Sequence, residues 1–416
     1  MRILQLSTHT TLVPRHGGML RSHHIGRVVE QSGLDLRRLA FVHRSPEHRD
    51  DPREPLIDVG PLPFWGSDAF RAYGGCRWLV SDYLSAVAAL ESPELLAEFD
   101  ARLAEAAPDL VLLEHPWTWP LLERHEAVRS GALPVVYSSQ NVELALKRQI
   151  LAETGMAPPA PLRDSLLAGI EAVERGLVAA AAGVVACTAA DGAAFAEWGA
   201  KRVVVAPNGG VRQPRGHLID VLPDGLAPEH AFALVVGSMH PPNISGFLEL
   251  VVPMLPRLAP HQRVVVAGDA GIGILQAMEE QGLSRLAENR VIALGRVATL
   301  TLDCLLANAQ VVLVPILYGG GSNVKTAEAL LSGRPVIASR PAMRGFDAFH
   351  GAEGLTVAED PASFGAALMD ALDAPFRATG PDDAALAPLL WESTVAPLVT
   401  LLREIGAAGS IGQPAA

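Results

Sequence analysis

The sequence predicts an α/β protein built from two doubly wound domains, and three observations carry that prediction. Short apolar, β-branched runs alternate with helical patterns through both halves of the chain. At 416 residues it exceeds what one hydrophobic core serves. A Pro- and Gly-rich stretch, VRQPRGHLIDVLPDGLAPEH, interrupts the alternation near its middle. Strands separated by helices cannot pair as hairpins, so the expected sheets are mostly parallel and covered on both faces.

In the first half, Arg2 to Leu6 reads as a strand, Leu20 to Gln31 as a helix and Leu36 to Val42 as a second strand. Leu95 to Ala107 is a helical pattern leading into the apolar strand Leu110 to Leu113. Further strands are expected at Pro134 to Tyr137, Gly183 to Ala186 and Val203 to Val205. Pro46 to Pro63 is a polar, Pro-rich insertion, and Phe64 to Leu90 holds much of the aromatic content; such variable material is where a second substrate would be read. In the second half, strands are expected at Ala231 to Val236, Val264 to Ala267, Val291 to Leu294, Val311 to Val314 and Pro335 to Ala338. The boundaries that follow are a first domain over 1–213, a linker over 214–230, a second domain over 231–385, a terminal helix over 386–405 that packs back on the first domain, and a disordered tail over 406–416.

A formal charge of −12 with no long basic run argues against nucleic acid as partner. Cys76, Cys187 and Cys304 stand far apart with no CxxC, which fits small core residues in a reduced, cytoplasmic compartment. The first residues, MRILQLST, enter a short strand directly, without the longer apolar region of a secretion signal. No uninterrupted apolar run reaches the roughly 20 residues that span a bilayer, and peripheral contact with the inner face of a membrane stays open.

The stretch Val311 to Ser339, VVLVPILYGGGSNVKTAEALLSGRPVIAS, carries the chemistry. It reads as strand, glycine loop, helix, glycine stop and strand. Gly319, Gly320 and Gly321 remove side chains just before a helix, Ser322 and Asn323 follow with Ser322 as the expected cap, and Gly333 with Pro335 ends the helix. Backbone amides at a helix N-terminus hold phosphate. Lys325 and Glu328 share a helix face and supply a cation for a diphosphate and a carboxylate for ribose hydroxyls. A solvated Lys/Glu face is the plain alternative. The loop is no Walker motif, since no Gly-Lys-Ser/Thr follows at the required spacing.

Several motifs then agree in order. An early strand is followed by Gly17-Gly18 and Arg21; Pro207-Asn208-Gly209 closes the first domain; Val236-Gly237-Ser238 with Pro242-Asn243 opens the second; Gly268, Gly295 and the glycine loop succeed them. In this the chain resembles the family-4 glycosyltransferases, retaining enzymes of the GT-B architecture, in which two Rossmann-like domains face each other across a cleft. The resemblance implies an acceptor side in the first domain and nucleotide-sugar binding in the second. It implies Gly17, Gly18, Gly237, Ser238, Asn243, Gly295 and the segment Gly319 to Asn323 as donor contacts, with Lys325, Glu328 and His115 at the reacting centre. The family's pair of glutamates eight apart is broken: Glu328 matches the second, and Gly320 stands where the first would be. Ser238 stands where an arginine is common. This is similar to the subgroup whose loop reads Gly-Gly-Gly-Ser/Thr-x-x-Lys, with Lys325 taking the cationic role.

The implied function is sugar transfer from a nucleotide-diphosphate donor to a hydroxyl of a saccharide, lipid-linked or small-molecule acceptor, in polysaccharide, glycolipid or glycoconjugate synthesis. Amides, helix dipole and Lys325 stabilise the leaving diphosphate, so no cofactor and no metal is demanded. His115 follows a buried strand and should emerge at the sheet's carboxyl edge, where it would position substrate; Glu114 beside it is the weaker candidate. Gln140-Asn141-Val142-Glu143 either binds hydroxyls or caps the next helix. His23 and His24 lack zinc-site spacing, GDAGIGIL at Gly268 is a poor dinucleotide fingerprint, and Asp382-Asp383 reads as a polar loop. Two other readings stand: a catalytically silent sugar-nucleotide binder, motivated by Gly320 and Ser238, and a nucleotide-sugar epimerase of the same architecture.

Overall fold

In the computed structural model the described residues are 1–45, 48, 50–153, 155–212, 223, 226, 230–376 and 383–411. The chain divides into two compact units, Met1–Pro207 with Thr394–Ala416, and Asn208–Ser393.

The first unit holds a seven-stranded sheet, all of whose pairings are parallel: β1 (Arg2–Ser7), β2 (Asp35–Val42), β3 (Leu56–Asp58), β4 (Leu110–Leu113), β5 (Val135–Ser138), β6 (Gly183–Ala186) and β7 (Val203–Val205), in the order β3-β2-β1-β4-β5-β6-β7. The order reverses between β1 and β4, the switch point at which α/β sheets take ligands beyond the strands' carboxyl ends. Val111 to Leu113 are fully buried because helices cover both faces, which is why that run shows no alternation. One face packs a core including Leu6, Phe41, Phe99 and Tyr137; a second cluster, with Phe70, Trp117 and Ile170, lies under the aromatic segment.

The second unit repeats the pattern in six parallel strands: β8 (Ala231–Val236), β9 (Gln262–Ala267), β10 (Val291–Gly295), β11 (Val311–Val314), β12 (Val336–Ser339) and β13 (Leu355–Ala358), in the order β10-β9-β8-β11-β12-β13. Its switch point lies between β8 and β11, beside the glycine loop. Two cores, one on each face, centre on Phe232 and Leu330 and on Phe247 and Phe364.

Several boundaries differ from those read in the sequence. The first unit ends at Pro207, not 213, because Asn208 already hydrogen-bonds within the second: its backbone N–H donates to Ser322 Oγ and its Nδ2 to Ser322 O, both at 2.7 Å. The linker expected over 214–230 lies outside the described residues apart from 223, 226 and 230. The terminal helix starts at Trp391 rather than 386 and runs to Ile411, so 406–411 is helical, not tail; 412–416 lie outside the described residues. From Thr394 this helix belongs to the first unit, where Arg403 donates to Ser32 O at 2.7 Å and Leu401 packs against Gly183. Asp382 lies outside the described residues, and Asp383 opens a short helix. β3 and β13 add strands to the outer edges that were not anticipated. Among the described residues no helix is long and apolar enough to cross a membrane, and no group of three or more His, Cys, Asp or Glu is placed to hold a metal ion.

Candidate functional site

In the second unit, β11 ends at Val314 and the chain turns through Pro315 to Asn323 into the helix Val324–Leu331. Gly319 has φ +134° and Gly321 φ +60°, left-handed values that disfavour any side chain. The loop is tied at three points. Ile316 N donates to Ser339 Oγ at 3.1 Å, Arg344 Nε donates to Gly321 O at 3.3 Å, and Ser322 receives Asn208. Ser322 is thereby occupied, and Asn323 is the cap in its place: its Oδ1 accepts from Lys325 N at 3.2 Å. Both residue types cap well, and the tertiary partner decided between them.

Lys325 Nζ donates to Asn243 Oδ1 at 2.6 Å, and Asn243 Nδ2 in turn donates to Ser238 O at 2.8 Å. A relay of three residues predicted separately therefore fixes the ammonium at the helix N-terminus. Lys325 and Glu328 line one small cavity of about 30 Å³, walled by Val236, Leu302, Leu306 and Val314. These apolar walls shift both groups toward neutrality. Burial lowers the Lys325 ammonium to about 8, partly opposed by Glu328, and raises the Glu328 carboxyl to about 7, partly opposed by Lys325. A ligand phosphate beside Lys325 would restore its full charge.

Glycines shape the floor. Gly237 N donates to Ala267 O at 2.9 Å, Gly237 O accepts from Ala270 N at 3.0 Å, and Gly268 N donates to Gly295 O at 2.6 Å. A Cβ on Gly237 would stand 2.9 Å from Ala270 Cβ, so the carboxyl ends of β8 to β10 approach one another through bare backbone. Gly295, at φ +63°, forms part of this floor. Gly320 lies within the loop and itself offers no carboxylate.

The first unit brings His115 together with Gly18 through Gln140. Gln140 Nε2 donates to Gly18 O at 3.2 Å and to Ser22 Oγ at 3.3 Å, its side chain also reaches His115, and a Cβ on Gly18 would meet Gln140 Oε1 at 2.6 Å. Gly17 and Gly18 start the helix Gly17–Gln31, capped by His16. His115 Nδ1 lies 3.5 Å from Thr8 Oγ1, and its ring meets His9 edge-on at 5.0 Å between centroids. Burial, with Lys147 and His16 adding positive charge, holds His115 down to about 3. It is a neutral imidazole at physiological pH, able to donate and accept hydrogen bonds but poor as a charged acid.

Glu114 is fully buried and accepts from Gln5 Nε2 at 2.6 Å. Arg21 is likewise buried, donating to Ala206 O at 2.9 Å. Asn141 and Glu143 serve the local turn: Asn141 Nδ2 donates to Glu143 Oε1 at 3.1 Å, and the backbone N–H groups of Glu143 and Leu144 donate to buried Glu174 at 2.8 and 2.9 Å. His23 and His24 bond to Thr11 O and Arg27 respectively. Sequence reasoning overlooked Arg344, whose Nη2 lies 3.2 Å from where a Gly319 Cβ would stand. It also overlooked His9 and His16, which gather around His115. Nothing local in the sequence marks these residues; the sheet topology brings them there.

Residues 231–374, within the second unit, match the model of a family described as glycosyl transferases group 1. No curated protein sequence matches the chain. Solved structures share the fold over its whole length. A sucrose-phosphate synthase from Thermosynechococcus elongatus superposes with TM-score 0.72 at 17% identity, covering 98% of this chain and 99% of that one. An α,α-trehalose 6-phosphate synthase from Burkholderia multivorans gives 0.62 at 16%, covering 100% and 99%. Anabaena HepE in complex with UDP-glucose gives 0.58 at 18%, covering 99% and 100%. The fold is GT-B, with two Rossmann-like domains.

Proposed function

We propose that this chain is a retaining glycosyltransferase that moves a sugar from a nucleotide-diphosphate donor to a hydroxyl of an acceptor without a metal ion. The observation that carries the reading is Lys325, fixed by Asn243 at the start of a helix directly behind a glycine loop. In this reading the loop amides, the helix dipole and the ammonium act together on the departing diphosphate. Apolar walls depress the ammonium, so binding an anion is coupled to proton uptake. Glu328, on the same face, accepts from ribose hydroxyls when ionised.

Arg344 takes a second phosphate oxygen in this reading. Its guanidinium lies against Gly319 and Gly321, and a planar donor fork suits phosphate. It stands in for the charge that Ser238 does not supply. In the first unit neutral His115, held beside Gln140 and Thr8, positions sugar hydroxyls. Retention follows if a donor phosphate oxygen accepts the acceptor's proton on the face from which the diphosphate leaves, which needs no side-chain base. HepE was crystallised with UDP-glucose, so UDP-glucose is the first donor to try. Three buried, unbridged cysteines support a reducing, cytoplasmic setting, and synthesis of a polysaccharide or glycoconjugate is the setting in which such a transfer serves.

The test is release of UDP from UDP-glucose across an acceptor panel, with and without EDTA. Wild type should turn over in EDTA, and Lys325→Ala should lose about two orders of magnitude or more in rate, the size of removing one preorganised donor to developing charge. Equal rates in the two proteins would refute the assignment. Gly320 and Ser238 favour one competing reading, a silent nucleotide-sugar binder, which tight UDP binding without turnover on any acceptor would establish.

A further inference from the structure

We propose that a cavity of about 160 Å³ in the first unit binds one uncharged sugar ring of the acceptor, so that the acceptor is a saccharide or glycoside. The inference rests on the transferase reading and names its second substrate. Thr8, which follows β1, and Phe41 and His43 at the end of β2 place the cavity at the sheet's carboxyl edge. Thr8 is also the residue that touches His115, so the cavity adjoins the histidine cluster.

Its two kinds of wall match the two faces of a pyranose. Trp65 and Trp78 present flat apolar surface for the C–H face of the ring. They are held in advance: Trp65 Nε1 donates to Val59 O at 2.6 Å, and edge-on contacts run from His43 to Trp65 (5.2 Å), Trp65 to Phe70 (5.0 Å) and Phe70 to Trp78 (5.3 Å). Trp78 is nonetheless 61% exposed, a large apolar ring kept in place beside an opening. Ser81, Asp82 and Ser85 of the helix Ser81–Ala89 supply the polar part of the lining. Ser85 Oγ donates to Ser81 O and Ser81 Oγ to Trp78 O, which leaves both hydroxyl oxygens able to accept. The Asp82 carboxylate can accept from two neighbouring sugar hydroxyls.

Size and charge narrow the occupant. A cavity of about 150 Å³ holds one six-membered ring. An acyl chain would strip water from Asp82 without replacing its hydrogen bonds. An ammonium would suit aromatic rings and a carboxylate, but Arg77 already sets its guanidinium 5.6 Å from the Trp78 ring and 5.8 Å from Phe70, against the same cluster. An uncharged polyol ring satisfies every wall.

The experiment titrates the full chain with methyl α-glucoside, methyl α-mannoside and methyl β-galactoside, followed by tryptophan fluorescence and by saturation-transfer NMR, alongside choline chloride and octanol. One glycoside should saturate, with transfer to its ring protons, and Trp78→Ala and Asp82→Asn should each weaken it about tenfold while the stabilisation by UDP is unchanged. Because the NMR readout uses the unmodified chain, it stands even where a variant misfolds. Absence of saturation by all three glycosides, saturation indifferent to both variants, or saturation by choline or octanol instead would overturn the proposal. Glycoside binding with no response to any nucleotide would leave the sugar site standing and remove the transferase reading.

Discussion

Gly246 lies in the helix Pro241–Leu250, where it packs directly on the chain leaving β11. A Cβ there would stand 1.7 Å from Pro315 O and 2.8 Å from Pro315 C, whereas ordinary contact begins at 3.4 Å, so the start of the glycine loop must retreat by about 1.7 Å. Alanine gains about 1 kcal/mol of helix propensity over glycine, but overpacking against backbone costs about 3 kcal/mol or more. The net loss is about 2 kcal/mol, a fall of about 4–8 °C in melting temperature for a unit of this size. Gly365 is the control, in the helix Pro361–Asp373. Its Cβ would meet Met254 Sδ at 2.5 Å, the far end of a flexible thioether that can rotate away. Gly365→Ala should melt within about 3 °C of wild type. Scanning calorimetry of both variants, each with and without UDP, reads the stability and the loop together: Gly246→Ala should also lose the UDP-induced shift, and Gly365→Ala should keep it. Equal melting temperatures and equal UDP shifts would refute the argument that Pro315 is held in place by the bare backbone at Gly246.

Three further outcomes follow from the site. Affinity for UDP should rise as pH falls through about 8, where Lys325 takes its proton, and weaken again below about 7, where Glu328 loses the charge that accepts ribose hydroxyls; calorimetric titration across this range checks it, and Lys325→Met should flatten the upper limb. Arg344→Ala should weaken UDP by about tenfold, the worth of one charge-assisted hydrogen bond, with k off rising in surface plasmon resonance. Glu174→Ala leaves the amides of Glu143 and Leu144 without their acceptor at a helix start, and should cost about 2–3 kcal/mol in urea unfolding without changing UDP affinity.

The strands were legible because a parallel sheet covered on both faces writes itself as uninterrupted apolar runs, as VVLV at β11 and LVLL at β4 show. β3 and β13 were missed for the same reason in reverse: they are short outer strands, LID and LTVA, and each is fully buried at only one residue. The phosphate loop was legible because its chemistry is local, with glycines, cap and cation contiguous in sequence. Ser322 was misread as the cap because its real partner, Asn208, is far away in the chain. Arg344, and the His9 and His16 rings that join His115, were invisible for the same cause: contacts between residues distant in the chain leave no spacing to read. Glu114, next to His115 in the sequence, is fully buried just after β4 and accepts from Gln5.

The central claim is that the loop from Gly319 to Lys325 holds the diphosphate of a nucleotide sugar. Thermal-shift measurements of wild type and Lys325→Ala against the nucleoside diphosphates and their sugars, each with and without EDTA, test it directly, because a ligand bound to the folded state raises the melting temperature by mass action. A shift with at least one nucleotide that survives EDTA and collapses in Lys325→Ala is the predicted result. No shift with any nucleotide, or a shift that Lys325→Ala leaves intact, would contradict it.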